Sequence, residues 1–286
     1  MLKDIGLQLA YDTEKLTKHI GHLSSFPEDY IVEPKYDGIR VACFIYSKDD
    51  IRFVTRYGNK VYNIDYIEED IKKQAGKLKG YVLDGEIYGK DWNETVSTTR
   101  TRVTKKDNPN LVFYVFDIIP IDNFEKKSYD ATLEERKKLL DKLLSNTKHV
   151  KKVKYHKIKD IDQALDIYKK EIENGLEGIM LKRIDTPYKF RRTPDWLKVK
   201  NILSDEFKVI DVFEGTGKYK DMLGGVVIKL PSGDTMKVGT GFTDEERAKY
   251  WKNPKSIIGK TVEVAYQEKT KDGKLRNPRF LRIRMD

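Results

Sequence analysis

The chain has 286 residues, 38% hydrophobic and 36% charged, enough for a proper core and more than one module of ordinary size. It contains no run of about 18 apolar residues to span a bilayer, no apolar stretch or cleavage pattern of a secretory signal at its start, and one cysteine, Cys43, so a helical membrane span, secretion and an internal disulfide are not expected. A net charge of +10, with 56 Lys+Arg against 46 Asp+Glu, suits a polyanionic partner such as nucleic acid, and with four histidines any metal is expected to be a hard cation held by oxygen.

In chain order, residues 39–46, 81–88 and 111–119 are rich in Val, Ile, Phe and Tyr and read as buried strands. Two helices follow. One opens on Thr132 and Glu135, spaced as a capping box ahead of LEERKKLLDKLL, and the other runs from Asp162 to about Asn174, closed by Gly175. After residue 201 the pattern changes to five short strand candidates, EFKVIDVFEG, GGVVIKL, DTMKVG, KTVEVAY and RFLRIR, with one helix starting at Thr243 and Glu246. Five strands and a helix match the make-up of an OB-type barrel, although other small barrels fit nearly as well. The expected domains are 1–201, mixed α and β, and 202–286. Both halves are net basic, so charge assigns nucleic acid to neither.

The residues suited to chemistry lie at strand ends. In Glu33-Pro34-Lys35-Tyr36-Asp37-Gly38-Ile39-Arg40 a lysine sits between two strand-like runs; a lysine amine is a nucleophile when neutral, and nearby cations or a metal lower its pKa. Read alone, the same residues make an ordinary charged hairpin turn with Asp37-Gly38 at its tip. Further on come Thr55-Arg56-Tyr57-Gly58, Leu83-Asp84-Gly85-Glu86, the run Phe113 to Asp117, Glu177 to Lys182, and Trp196 to Lys200. Together they supply two carboxylates within apolar strands (Glu86, Glu177), an aromatic (Phe116), and Lys198 and Lys200 on one strand face. Such a set is able to hold a nucleotide with its metal.

These motifs, KYDGIR, TRYG, LDGEIYG, FYVFDII, EGIMLK and WLKVK, with LRNPRFLRIR at 275–284, occur in the order found in the covalent nucleotidyltransferases. The chain most closely resembles the ATP-dependent DNA ligases, over nearly its whole length. The resemblance implies an α+β architecture: a nucleotidyltransferase domain with an ATP-grasp-like mixed sheet, followed by a C-terminal OB-fold β-barrel. It implies ATP as cofactor with Mg²⁺ and nicked double-stranded DNA as partner. Lys35 would be the nucleophile that takes AMP from ATP, before AMP moves to a 5′-phosphate at a nick and the 3′-hydroxyl displaces it.

Carried over position by position, Glu33 would border the adenine, Arg40 and Arg56 would lie near the ribose and phosphates, and Phe116 would stack on the base. Glu86 and Glu177 would be the ribose and metal carboxylates. Lys198 and Lys200, with Lys182 beside them, would hold the α-phosphate, and Arg276 and Arg284 would orient pyrophosphate, although both also read as plain basic residues on an edge strand. The segment 95–106 (TVSTTRTRVTKK) reads as a loop able to meet DNA phosphates through Thr95, Arg100, Arg102, Lys105 and Lys106, or equally as a solvated loop. With about 30 residues before Lys35 and a tight PSG turn where a long insertion could stand, the expected form is a minimal two-domain monomer, as in bacteriophages, other viruses and some bacteria. The expected location is the cytoplasm, the host's if the chain is virus-encoded. A GTP-using mRNA capping enzyme shares the lysine motif and barrel, and a non-catalytic nucleic-acid-binding protein could keep the fold; the terminal motif and the EGIMLK form favour the ligase over the first, and the intact lysine and glutamate set over the second. An RNA ligase fits less well because many lack the barrel, and an NAD-dependent ligase would need an N-terminal domain and zinc cysteines.

Overall fold

The computed structural model describes residues 4–12, 29–90, 92–102, 108–270 and 272–284, apart from the side chain of Asn93. The chain divides into two units, Met1–Lys200 and Asn201–Asp286. In the first the elements run β1 (Leu9–Asp12), β2 (Tyr30–Lys35), β3 (Ile39–Ile45), β4 (Ile51–Thr55), α1 (Asp65–Lys72), α2 (Ala75–Leu78), β5 (Tyr81–Tyr88) and α3 (Trp92–Arg100). They continue with β6 (Val112–Pro120), α4 (Ile121–Lys126), α5 (Leu133–Leu143), β7 (Val150–Lys152), β8 (His156–Lys157), α6 (Ile161–Glu173), β9 (Gly178–Arg183) and β10 (Arg192–Lys200).

These strands form two five-stranded sheets, β1-β10-β9-β2-β8 and β4-β3-β5-β6-β7. Each is antiparallel except for one parallel edge pair, β1 with β10 and β7 with β6. The period of two along each strand sorts its side chains into separate cores. Val41, Cys43, Ile45, Leu83 and Phe113 pack under α1, α2 and α5 through Ile67, Leu78 and Leu140. Their neighbours Ala42, Val82 and Ile119 point the other way, against Trp196 on β10 of the opposite sheet and against Leu7 and Tyr188 from the segments before β1 and before β10. That sheet's far face, Val32, Ile179, Leu181 and Leu197, is covered by Ala164 of α6. Strands buried on both faces need apolar residues at nearly every position, which is why they stood out as continuous Val/Ile/Phe runs.

The predicted helices form, α5 from its expected capping box and α6 from Ile161, one residue before the expected Asp162. Thr132 and Glu135 make both arms of the capping box on α5, and Asp160 caps α6 by accepting from the Gln163 N–H at 2.8 Å. Helices α1, α2, α3 and α4 were not foreseen. The hairpin reading of Asp37-Gly38 does not hold, because β2 and β3 belong to different sheets and the segment is a crossover between them. The loop reading of 95–106 is corrected as well: Thr95 to Arg100 lie on α3, and Thr95, Thr98 and Thr99 share its buried face.

In the second unit, β11 (Leu203–Glu214), β12 (Leu223–Lys229), β13 (Thr235–Val238), α7 (Asp244–Lys252), β14 (Thr261–Tyr266) and β15 (Arg279–Ile283) follow the predicted order. The strands pair antiparallel as β13-β12-β11-β14-β15 around a core that includes Val209, Val226, Ile228, Val262, Val264 and Phe280. Arg247 of α7, 5% exposed, donates to the carbonyls of Leu223, Gly224 and Gly239 at 2.7, 2.9 and 2.7 Å. It thereby fastens the helix to β12 and to the residue that follows β13. Among the described residues no helix is long and apolar enough to cross a membrane.

Candidate active site

Lys35 is the last residue of β2, and backbone geometry alone brings its partners close. Lys35 and Lys200 both stand opposite Gly178 in the strand register. A Cβ on Gly178 would lie 2.0 Å from the Val199 carbonyl, and the residue sits at φ +145°, so glycine is needed for the row to close. Glu177 precedes β9 rather than lying within it, and its N–H donates to the Lys35 carbonyl at 3.1 Å. Its side chain then bridges Lys35 and Lys200, the latter at 2.8 Å. Burial pushes the Glu177 carboxyl up, but the charges of Lys35 and Lys200 outweigh it and hold the group below the usual carboxylate range.

Glu86 approaches from the other sheet, on β5 directly across from Arg40. Burial pushes its carboxyl up to about 7 despite the pull of Lys35 and Arg40, with Glu177 and Asp37 adding to the rise. Lys198 pairs with Asp12 of β1 at 3.2 Å, and burial holds its ammonium below the usual lysine value.

Behind these groups lies a buried polar cluster. Glu33, 1% exposed, ion-pairs through one oxygen with Lys137 and through the other with Lys182 at 2.6 Å. Burial opposes ionisation of Glu33, yet the two lysines hold its carboxyl below the ordinary value. The Lys182 nitrogen lies 4.0 Å from the ring centroids of both Phe116 and Trp196, and burial pushes its pKa down to about 8. Arg40 grips Asp84 at 2.9 and 2.6 Å and the Gln8 carbonyl at 2.7 Å, and Asp84 also accepts from the Tyr188 hydroxyl at 2.7 Å. Arg56 pairs with Asp4 at 2.6 Å.

One cleft of the first unit is lined by Glu33, Lys35, Arg40, Arg56, Glu86, Phe116, Lys182 and Lys198, while Glu177 is tied to its Lys35 and Lys200 to Glu177. Arg276 and Arg284 lie in the second unit, paired with Glu268 at 2.8 Å and with Glu206 at 2.7 Å. A second cavity is lined by Arg40, Arg56, Lys60, Arg100 and Arg102. Thr95 is removed from the candidate DNA contacts: it is fully buried and accepts from the Gly89 N–H at 3.0 Å, so its hydroxyl serves the chain and not a phosphate. Lys105 and Lys106 lie outside the described residues.

Sequence reasoning missed Lys137, which donates to the Phe116 carbonyl at 2.7 Å, and missed Trp196, Arg192 and Met180 in the cleft wall. For Lys137 a signal existed. Leu133, Arg136, Lys137 and Leu140 fall at i, i+3, i+4 and i+7, so two cations occupy the buried stripe of α5.

The chain matches the family model of the ATP dependent DNA ligase domain over residues 8–200 and that of the DNA ligase OB-like domain over residues 214–284. It belongs to the ATP-dependent DNA ligase family. The DNA ligase of Archaeoglobus fulgidus is 32% identical over 293 residues, covering 89% of this chain and 51% of that protein. The SPbeta prophage-derived DNA ligase-like protein of Bacillus subtilis is 29% identical over 273 residues, covering 88% of this chain and 92% of that one. A solved structure of Lig E DNA ligases, described as DNA binding with a minimal scaffold, is similar with a TM-score of 0.76 at 25% identity, covering 98% of this chain and 99% of its own. The chain spans about half the length of the archaeal ligases it matches.

The donor set of this ligase-family site fits a divalent cation that arrives with a nucleotide. Glu86 feels the charges of both Glu177, which raises its pKa, and Lys35, which lowers it, and Glu177 pairs with Lys35 directly. Among the described residues no cluster of three or more ligating side chains exists, and Mg²⁺ commonly uses one or two carboxylates and takes the rest of its shell from phosphates and water. The cleft also offers a buried indole N–H, on Trp196, with no partner among the described residues.

The raised pKa of Glu86 has a thermodynamic consequence. Folded, the carboxyl keeps its proton to about pH 7; unfolded, it loses it near 4.5. The folded state therefore binds more protons in that window, and stability falls as pH rises through it. In EDTA, the urea midpoint of the wild type should fall between about pH 5 and pH 8 relative to Glu86→Gln, which cannot ionise. Parallel curves for the two proteins would contradict this.

Proposed function

We propose that the chain seals nicks in duplex DNA with ATP, through AMP carried on Lys35. The observation that carries this reading is Lys35 and Glu86 lining one cleft, with Glu177 bridging Lys35 to Lys200, in a chain of the ATP-dependent DNA ligase family. Lys35 attacks the α-phosphorus only as the neutral amine, so its ion pair with Glu177 is exchanged when a nucleotide enters, leaving Glu177 within reach of the departing proton. A nitrogen–phosphorus bond forms, the bond from the α-phosphorus to the bridging oxygen breaks, and pyrophosphate leaves with that electron pair.

Such in-line transfers depend on positioning and charge neutralisation. Lys198 and Lys200, two residues apart on β10, supply fixed positive charge beside the α-phosphate. Phe116 offers its ring to the base, with Glu33 and Lys182 at the same wall. Glu86 and Glu177 would hold Mg²⁺, which supplies further neutralisation of the phosphates. Arg276 and Arg284 act on pyrophosphate during loading. AMP then passes to the 5′-phosphate of the nick, and the 3′-hydroxyl displaces it to close the phosphodiester. Arg100 and Arg102, exposed beside Arg56 and Lys60, contact DNA phosphates, and the working form is a monomer in the cytoplasm.

Intact-protein mass after incubation with Mg²⁺ and either ATP or GTP tests the loading step. An AMP adduct that maps to Lys35 and is absent from Lys35→Ala is expected; a GMP adduct would make the protein a capping-type guanylyltransferase, and no adduct would leave it a binding protein. Arg276→Ala should slow loading more than it slows closure of a pre-adenylylated nick, and equal loss in both assays would sink its proposed role. For the DNA contacts, affinity for nicked duplex should fall steeply with salt, and Arg100→Gln with Arg102→Gln should make the log–log slope shallower by about two. An unchanged slope would remove both arginines from the interface.

A further inference from the structure

Helix α5 places two consecutive cations in its buried face. Arg136, 1% exposed, closes on Asp117 at 2.7 and 3.0 Å, a one-to-one pair that fixes the helix to β6. Lys137, 3% exposed, reaches Glu33 on β2 and also donates to the Phe116 carbonyl at 2.7 Å. Because Lys182 already neutralises Glu33 at 2.6 Å, Lys137 leaves the cluster with an excess positive charge away from water. Burying a charge beyond what pairing requires is costly, and an apolar side chain would serve packing better. The cost points to a use on the ligand side.

Glu33, Phe116, Lys182 and Trp196 line the cleft, whereas Lys137 lies behind them. Its effect on a ligand is therefore indirect. With one lysine on each oxygen, the Glu33 carboxylate is held against rotation, and its remaining lone pairs become fixed acceptors at the cleft wall. The same lysine holds the backbone of Phe116, which lines the cleft. Lys182 adds a donor on the same wall. An acceptor beside a donor matches a purine edge that presents an amine next to an unprotonated ring nitrogen. A base with a carbonyl and a ring N–H at those places presents the reverse order and meets the carboxylate with oxygen.

We infer that Lys137 is a positioning residue for base selection: by fixing Glu33 and Phe116 it makes the cleft read the 6-amino group of the purine. The inference rests on the reading of this cleft as the nucleotide site, and goes beyond it by assigning Lys137 a part in that selection. Replacing Lys137 by Met leaves Glu33 and Lys182 as a balanced pair, so the substitution strands no charge, and Met keeps the length of the side chain.

The test measures the rate of nucleotide-adduct formation on the full chain, by intact mass over a range of concentrations, with ATP and with purine riboside triphosphate, which lacks only the 6-amino group. A site built to hydrogen-bond an amine rejects the analogue that lacks it, so the wild type should prefer ATP strongly. Lys137→Met should lower that preference by about tenfold or more, chiefly by raising the ATP concentration for half-maximal loading while the saturating rate stays within a few-fold. Equal slowing with both nucleotides and an unchanged preference would overturn the inference. If Lys137→Met does not fold, Lys137→Gln carries the same test, and a wild-type preference in that variant overturns it too. Absence of an adduct on the wild type with either nucleotide would overturn the reading of the cleft, and this role with it.

Discussion

The site depends on two places where backbone meets backbone with no room for a side chain. A Cβ on Gly38 would lie 2.1 Å from the Ile87 carbonyl, and one on Gly178 would lie 2.0 Å from the Val199 carbonyl. The first contact ties the crossover after β2 to the end of β5, so the chain passes from one sheet to the other within three residues and Lys35 is left at the junction. The second closes the row of Lys35, Gly178 and Lys200 across three strands. Glu177, one residue before β9, then pairs with Lys35, and Glu86, two residues before the end of β5, lines the same cleft within reach of that lysine's charge. The glycines of the KYDG and EGIMLK motifs thus do as much to place the candidate site as the charged residues beside them.

Around that junction the interior carries more charge than stability asks for. Arg136 with Asp117, Arg40 with Asp84, and Glu33 with two lysines all lie largely out of water. Buried ion pairs are often no more stabilising than apolar residues of the same size, so their presence gives weak grounds for a stability role. What they provide is fixed direction. Arg40 is held by two oxygens of Asp84 and the Gln8 carbonyl, which joins the segment before β1 to β3 and β5 at the cleft wall. Preorganised charge of this kind neutralises a phosphate without having to rearrange as the reaction proceeds.

Much of the architecture was legible because its signals are local. Strands buried on both faces show as apolar runs, capping boxes mark Thr132 and Thr243, and the change of pattern after residue 201 marks a new unit. The short helices were less legible. Helix α3, TVSTTR in its latter part, looks like a polar loop because its buried face is made of threonines, and three hydroxyls at i, i+3 and i+4 do not register as a hydrophobic stripe. The same limit hid Lys137, a cation on a buried helix face, and Trp196, whose role follows only from which strand β10 lies beside. Motif residues such as Lys35, Glu86 and Lys198 were legible as a set, but that Arg40 and Arg56 are engaged by Asp84 and Asp4 was not, since those partners come from distant parts of the chain.

The central claim is that Lys35 carries AMP as an intermediate on the way to a sealed strand. The most direct measurement isolates the Lys35 adduct, removes free ATP, and mixes the protein with nicked duplex DNA and Mg²⁺ in a single turnover. The account predicts that AMP leaves Lys35 as a 5′-adenylylated strand appears and then disappears into a sealed one. An adduct that stays on Lys35 while the nick remains open would contradict it.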